Sequence, residues 1–218
     1  SRGNVINPDD IVEQFGADSL RCYEMYMGPI DVVKPWNTSQ ISGVSRFLDR
    51  VYRLGVSDVS NDEPDNDTLK LTHKTIRKVT NDTERMRFNT AISSMMVLSK
   101  HLAQHDKPNR WALEQLVLLV SPYAPHLGEE LWERLGHPPS VTNHAWPGFD
   151  EELAKDDELT IAVQVRGKVR GTIVVAPGTD KSELERLALA EPAVARHLEG
   201  QTIRKVIVVP DRIVNIVI

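Results

Sequence analysis

The spacing of the apolar residues changes once along this 218-residue chain. Before about residue 136 they recur every three to four positions, as along residues 41–54, which is typical of amphipathic helices. Beyond about residue 159 they alternate with other residues, as along residues 160–166, which is typical of strands. Helices alone would not account for the alternating pattern, and strands alone would not account for the spacing of three to four. We therefore expect a helical part followed by a part that contains a sheet.

Capping residues and helix breakers divide the helical part into segments. Asn7-Pro8 and Asn37 predict helix starts, Gly16 predicts a helix end, and Asn89 is placed to cap a helix that begins at residue 90. The helices are predicted at approximately 7–16, 18–27, 37–54, 67–86, 90–105, 109–120 and 125–136. Long amphipathic segments joined mostly by short loops predict an antiparallel bundle.

Residues 159–218 predict a small α+β domain. Alternation on either side of Gly167 indicates a β-hairpin, and the later elements are a helical region and two strands, at approximately 160–166, 169–176, 180–198, 202–209 and 212–218. The segment 137–158, which contains prolines and an acidic run, predicts a linker. The predicted fold class is therefore mostly α, an antiparallel helical bundle followed by a small α+β domain.

The charge of the chain is unevenly distributed. A net charge of −5 argues against a general nucleic-acid binder. However, residues 159–218 contain nine Lys or Arg and six Asp or Glu, whereas residues 150–158 contain one Lys and six acids. A polyanion would therefore meet a favourable field mainly at the C-terminal segment.

Several classes of function are disfavoured by the residues themselves. No apolar run approaches the roughly 20 residues that span a bilayer, so we expect no membrane partner. Cys22 is the only cysteine, which excludes an internal disulfide and a cysteine-rich zinc site and suits the reducing cytoplasm. His101 and His105 have i, i+4 spacing, but no third ligand accompanies them, so we expect no metal.

The first residues suit contact with phosphate. Ser, Gly and Asn in residues 1–8 supply hydroxyl, amide and unhindered backbone N–H groups, although a simple capped helix start has the same composition. Residues 1–8, 15–21 and 28–29 together resemble the stretch that follows the Lys-Met-Ser-Lys-Ser loop in class I aminoacyl-tRNA synthetases of the leucyl, isoleucyl, valyl and methionyl group. Ser1 resembles the last residue of that loop. The resemblance implies that the catalytic lysines lie upstream and that no catalytic residue is retained here.

The resemblance continues through residues 46–51, 88–93, 121–132 and 146–147, which are architectural blocks of the same subclass. Residues 163–171 and 206–218 resemble the C-terminal domain of bacterial-type leucyl-tRNA synthetases. An isoleucyl enzyme would usually have a cysteine-ligated zinc module here, and a valyl enzyme would usually end in a coiled coil. The sequence shows neither pattern, which favours leucine.

The family implies both a partner and a division of labour. Residues 1–36 would be connecting helices, residues 37–136 an anticodon-binding-type bundle, and residues 159–218 a tRNA-binding domain. The partners would be tRNA(Leu) and the N-terminal catalytic domain of the same chain, in a monomer. The whole enzyme would use ATP and Mg²⁺ to join leucine to tRNA, whereas this part would need no cofactor and would be inactive alone.

Cationic residues of the small domain are the first candidate tRNA contacts. The hairpin residues are Arg166, Lys168 and Arg170, and neighbouring strands add Arg204, Lys205 and Arg212. The first three could share one face, although a two-residue turn would disturb that register, and a solvated strand face is the alternative interpretation. The family usually has Asn where Arg166 stands, which leaves the geometry of the turn open.

A second candidate set lies on the helix predicted at 67–86. Lys70, Lys74, Arg77 and Arg85 recur at helical spacing, and the family resemblance makes them candidates for touching a tRNA stem. An exposed helix face without a ligand is an equal alternative. Two other identities also stay open, a synthetase for another amino acid and a helical protein-interaction module that never meets RNA.

Overall fold

The computed structural model describes residues 5–155 and 159–218, and these form two compact units, one that ends at Lys155 and one that begins at Leu159. Ser1 lies outside the described residues. The helices of the first unit are α1 (Pro8–Phe15), α2 (Ala17–Tyr26), α3 (Thr38–Val56), α4 (Asn66–Glu84), α5 (Phe88–Leu102), α6 (Arg110–Val120) and α7 (Pro125–Arg134). The predicted fold class is confirmed, because a small mixed sheet follows this helical part.

Side-chain caps fix where several of these helices begin. The Asn37 side chain accepts a hydrogen bond from the Ser39 N–H (3.1 Å), and the Asn109 side chain accepts one from the Ala112 N–H (3.0 Å). Such caps satisfy backbone donors that have no partner inside the helix. Both helix starts therefore lie where the sequence predicted them.

The predicted cap at Asn89 is wrong. Helix α5 begins at Phe88, so Asn89 lies inside its first turn, and the N-cap residue Arg87 makes no side-chain cap. The Phe88 ring packs edge-on against Tyr123, with 6.0 Å between the ring centroids. We attribute the earlier start of α5, at residue 88 instead of the predicted residue 90, to this aromatic contact and to the short connection between α4 and α5.

The core of the first unit is formed by the apolar faces of its helices. On α3 the buried apolar residues recur at helical spacing, and on α6 the last five residues, 116–120, are all buried. The buried side chains of these two helices include Ile41, Val44, Phe47, Leu48, Val51, Leu54, Leu113, Leu116, Val117 and Leu119. Each contributes about 1.5–3 kcal/mol through burial.

One carboxylate is buried at the end of α4. The Asp82 side chain is inaccessible to solvent; Thr90 Oγ1 donates to it over 2.6 Å, Arg87 Nη2 lies 2.8 Å from Oδ1, and Lys78 makes a short hydrogen bond to Oδ2. Burial raises the pKa of Asp82, but the hydrogen bonds from Lys78 and Thr90 and the charges of Lys78 and Arg87 outweigh it. The pKa is therefore below its usual value.

The second unit has a four-stranded sheet with helices on one face. Its elements are β1 (Leu159–Val165), β2 (Lys168–Val175), α8 (Lys181–Ala190), α9 (Pro192–Leu198), β3 (Lys205–Val209) and β4 (Ile213–Val217). The strand order is β2-β1-β4-β3, in which β1 and β4 are parallel and the other pairs antiparallel. The helix-facing core consists of Ile161, Val163, Val165, Ile173, Val175, Leu184, Ala188, Val194, Val214 and Ile216.

The hairpin turn has the positive-φ geometry that Asn favours, although Arg166 stands where the family usually has Asn. Arg166 and Gly167 join β1 to β2, and both have positive φ, 51° and 75°, as the favoured two-residue turn requires. The turn is tied to β4, because the Arg166 N–H donates to the Ile216 carbonyl (3.0 Å) and the Gly167 N–H to Asn215 Oδ1 (3.3 Å). Arginine in this conformation costs about 1–2 kcal/mol.

Replacing Asp82 with Asn should reduce the free energy of unfolding of the first unit by about 2 kcal/mol at neutral pH, because hydrogen bonds to a charged acceptor are removed. Because the pKa of Asp82 is lowered in the folded state, its carboxylate contributes fully to stability above the unfolded-state pKa of about 4. The contribution disappears as the pH falls through the folded-state pKa. Urea titrations at neutral and acidic pH should therefore show the wild-type advantage disappear in acid. The exposed Asp31→Asn is the control, and an unchanged gap at low pH contradicts the account.

Replacing Arg166 with Asn should stabilise the hairpin by about 0.5–1 kcal/mol, because Asn adopts positive φ more readily than Arg. Amide hydrogen exchange of β1 and β2 should slow by about two- to fivefold. Lys168→Asn, which removes the same charge next to the turn, should give no such gain. Equal exchange in wild type and Arg166→Asn would show that arginine does not strain this turn.

Candidate nucleic-acid interface

Three cations of the hairpin line one half-open cavity. In the β1–β2 ladder Val163 pairs with Gly171 and Gln164 pairs with Val169, so Arg170 is the extra residue of a β-bulge. Arg166, Lys168 and Arg170 are exposed and line a cavity of about 370 Å³. The structure thus brings together the three side chains that the sequence indicated could share a face.

Parallel pairing of β1 with β4 adds two more cations to this end of the sheet. Val165, the last residue of β1, pairs with Ile216, and Lys205 pairs with Val217 on the other side of β4. Arg204 precedes Lys205, and its N–H donates to the Val217 carbonyl (2.8 Å). Arg204 and Lys205 therefore lie at the same end of the sheet as the hairpin turn.

Arg212 is separated from the other five cations. It precedes Ile213, which pairs with Ala162, and so it lies at the opposite end of β4. Four strand residues of about 3.3 Å each put it roughly 13 Å from the cationic end. We define the cationic end as Arg166, Lys168, Arg170, Arg204 and Lys205.

The cationic end is available to an anion. Its five residues and Arg212 are exposed, and within residues 159–218 the ion pairs lie on α8 instead, between Lys181 and Glu185 (3.7 Å) and between Arg186 and Glu183 (2.6 Å). The same 60 residues contain no Phe, Tyr or Trp. This composition favours contacts to phosphates and sugars over stacking on bases.

The second candidate set is partly occupied by the chain itself. Arg77 Nη1 lies 3.6 Å from Glu151 Oε2, and two hydrogen bonds hold the linker against α4, from Trp146 Nε1 to Thr80 Oγ1 (2.8 Å) and from the Asp150 N–H to His73 Nδ1 (3.1 Å). Asp150 and Glu151 therefore lie along this helix, and their carboxylates compete with any phosphate.

The other members of that set differ in their surroundings. Lys70 and Lys74 are partly buried on α4, whereas Arg85 is exposed and follows the last residue of the helix as its C-cap. The set is thus not one continuous exposed stripe. This weakens its case as an RNA contact relative to the cationic end.

A third cationic set, on α3, was not predicted from the sequence. Arg46, Arg50 and Arg53 line a cavity of about 460 Å³ together with two carboxylates, those of Asp49 and Asp106. Arg50 is held in place by a hydrogen bond from Nη1 to Ser99 Oγ (3.2 Å). Their i, i+4, i+7 spacing on a predicted helix was the available signal, because this spacing places the three arginines on one face of the helix.

Cys22 is not a reactive nucleophile. Its thiol is buried beside the Tyr123 carbonyl (3.5 Å), and burial, with a smaller contribution from Asp18, raises its pKa to about 12. The thiol is therefore protonated at neutral pH and unreactive. Across residues 5–155 and 159–218 there is no group of three or more His, Cys, Asp or Glu side chains that could hold a metal. In the same residues no helix is both long and apolar enough to cross a bilayer.

Comparisons with known proteins give the family. A model described as the anticodon-binding domain of tRNA ligase matches residues 65–185. The leucine–tRNA ligase of Chlorobium phaeovibrioides (strain DSM 265 / 1930) is 52% identical over 222 residues, which cover 99% of this chain and 28% of that protein. The leucine–tRNA ligase of Sorangium cellulosum (strain So ce56) is 51% identical over 218 residues, which cover 100% of this chain and 25% of that protein.

A solved structure agrees with these relatives. A crystal structure of the Agrobacterium radiobacter K84 agnB2 LeuRS in a ternary complex with tRNA and LeuAMS has a TM-score of 0.71 and 30% identity, over 100% of this chain and 31% of that one. The chain spans about a quarter of the length of the curated relatives it matches. The resemblance predicted from the sequence is confirmed: the chain belongs to the family of tRNA ligase anticodon-binding domains, and over its whole length it corresponds to the C-terminal part of leucine–tRNA ligases.

Proposed function

We propose that this chain is the tRNA-holding part of a leucine–tRNA ligase, and that its cationic end binds the phosphate backbone of tRNA(Leu). The observation that supports this most is the convergence of five exposed cations at one end of the small sheet. Convergence matters because neighbouring cations release several condensed counterions when they bind one polyanion. A nucleic-acid-binding module that is not part of an enzyme could have the same geometry. The relatives are leucine–tRNA ligases and therefore favour a ligase.

In this proposal the chemistry belongs to the rest of the enzyme. That part would activate leucine with ATP and Mg²⁺ and transfer it to the terminal ribose of tRNA, whereas the present residues hold tRNA in the productive position. The described residues before α3 support a docking surface for that part, because they expose several apolar side chains. Val5 is 71% exposed, Ile30 68% and Val33 96%. Exposed apolar side chains of this kind would lose contact with water if another domain covered them.

We propose a monomer in the cytoplasm, with no cofactor of its own in these residues. A single cysteine, which can form no internal disulfide, suits a reducing compartment. Leucine is favoured over valine or isoleucine by relatives that are about 50% identical over the whole chain.

Lys168→Glu with Arg170→Glu should weaken binding of a leucine tRNA transcript by at least tenfold at about 0.1 M salt, because two phosphate contacts become repulsive. The plot of log Kd against log salt should also become less steep, by about one for each phosphate that is no longer neutralised. The matched control is Lys181→Glu with Arg186→Glu, which makes the same charge change on α8.

The control should retain most of the affinity. Fluorescence anisotropy with labelled tRNA measures both variants, and circular dichroism checks that each keeps its helices. Equal losses in the two variants would show that net charge and not the cationic end governs binding. An absence of tRNA binding by the wild type at low salt would contradict the proposed function itself.

The α3 arginines give a separate prediction. Arg46→Gln with Arg53→Gln should weaken tRNA binding by roughly fivefold and reduce the salt slope, because both guanidinium groups line the α3 cavity. Lys70→Gln with Lys74→Gln on α4 is the comparison and should have the smaller effect, since the linker already lies along that helix. The reverse order would restore α4 as the RNA-facing helix of the bundle.

A further inference from the structure

The cavity beside the hairpin has the size of a small ligand site. Its volume of about 370 Å³ lies near the lower end of the 300–1,000 Å³ that such sites usually have. A segment of double helix cannot enter a space of this size, but one nucleotide that has left its stack can. The cavity lies within the second unit, where the start of β2 meets the end of α9.

A glycine brings these two elements close together. A Cβ atom at Gly171 would lie 2.5 Å from Glu191 Oε2, and that carboxylate accepts a hydrogen bond from the Val194 N–H (2.8 Å) at the start of α9. Any larger residue would have to displace the Glu191 side chain, so glycine favours this close approach. The helix is therefore held directly beside the bulge residue Arg170.

The walls of the cavity differ in chemistry. Arg166, Lys168 and Arg170 supply positive charge, whereas Val165 and Ile218 supply apolar surface. His197, near the end of α9, and Gln201, just after it, complete the lining of the cavity. With a neutral imidazole, these two are the uncharged hydrogen-bonding side chains of the cavity. A ligand that fits all three surfaces has a phosphate, a less polar body and a hydrogen-bonding group.

The orientation of His197 gives that hydrogen-bonding group a direction. His197 Nδ1 lies 2.8 Å from the Ala193 carbonyl oxygen, one turn earlier on α9. A carbonyl only accepts, so Nδ1 holds the hydrogen, and in the neutral imidazole Nε2 is left as an acceptor. The cations around it can only donate. His197 therefore selects for a ligand group that donates, such as a hydroxyl.

We propose that this cavity holds one unstacked ribonucleotide of the tRNA, with its phosphate against Arg166, Lys168 and Arg170 and its 2′-hydroxyl donating to His197 Nε2. This inference rests on the proposed function and adds a specificity determinant to it. DNA has the same phosphates but lacks the 2′-hydroxyl. His197 thus distinguishes RNA from DNA, while the cations bind both.

The test compares a 12-nucleotide single-stranded RNA with the DNA of the same sequence, each bound to the 218-residue chain at low salt. The wild type should bind the RNA roughly three- to tenfold more tightly, the amount that one hydrogen bond supplies. His197→Phe keeps a ring and removes Nε2, so the RNA-to-DNA ratio should fall to about one through loss of RNA affinity alone. His197→Gln places an amide oxygen near the position of Nε2 and should retain most of the preference.

The outcomes separate this inference from the proposed function. Lys168→Glu with Arg170→Glu should weaken RNA and DNA equally and leave their ratio unchanged. A wild-type ratio of one, or a preference that survives in His197→Phe, overturns the role of His197, while the proposed function stands if the charge variant still loses tRNA binding. Hydrogen exchange of α9 verifies that His197→Phe remains folded. If α9 loses protection in that variant, His197→Gln and His197→Asn replace it in the test, and only His197→Gln should keep the preference for RNA.

Discussion

The parallel pairing of β1 with β4 determines where the charges of the second unit lie. Because β4 runs beside β1 in the same direction, the end of β1 with its hairpin turn lies next to the end of β4 and the start of β3. Cations of the hairpin and of β3, which are distant in sequence, are thereby placed at one end of the sheet. An antiparallel pairing would have put Arg204 and Lys205 at the other end, with Arg212 taking their place.

The electrostatic layout follows from this arrangement. The chain as a whole is acidic, with a net charge of −5, so its general field does not attract RNA. Six of the 31 acidic residues lie within residues 150–158. One of them, Glu151, pairs with Arg77, which makes α4 less attractive to a polyanion. Local cationic clusters on an acidic protein favour directed binding of a polyanion, because positive charge attracts it at those clusters and negative charge repels it elsewhere.

Much of the fold follows from the sequence, because the apolar periods of about 3.6 and 2 are properties of local backbone geometry. The caps at Asn37 and Asn109 and the hairpin around Gly167 are equally local signals, and the structure contains all three. The predicted start of α5 is wrong because a tertiary contact between Phe88 and Tyr123 decides it. The strand order was not predictable for the same reason, since the parallel partner of β1 is the last strand of the chain.

The site residues divide in the same way. The alternation of Arg166, Lys168 and Arg170 was visible, but the bulge that leaves Arg170 unpaired was not. The separation of Arg212 and the covering of α4 by the linker depend on packing between distant segments, which periodicity does not report. His197 had no signal at all in the sequence, because its importance comes from a hydrogen bond that fixes one ring nitrogen and from the cavity that its side chain lines.

The most direct measurement of the central claim is a backbone amide NMR titration of the isotope-labelled chain with leucine tRNA. The account predicts that, at low salt, perturbed signals in the second unit concentrate at residues 166–170 and 204–205 and at the end of α9, and that they return toward their free positions as salt is added. Perturbations that leave these residues untouched, or that fall mainly on α8 and the Arg212 end of the sheet, would contradict it.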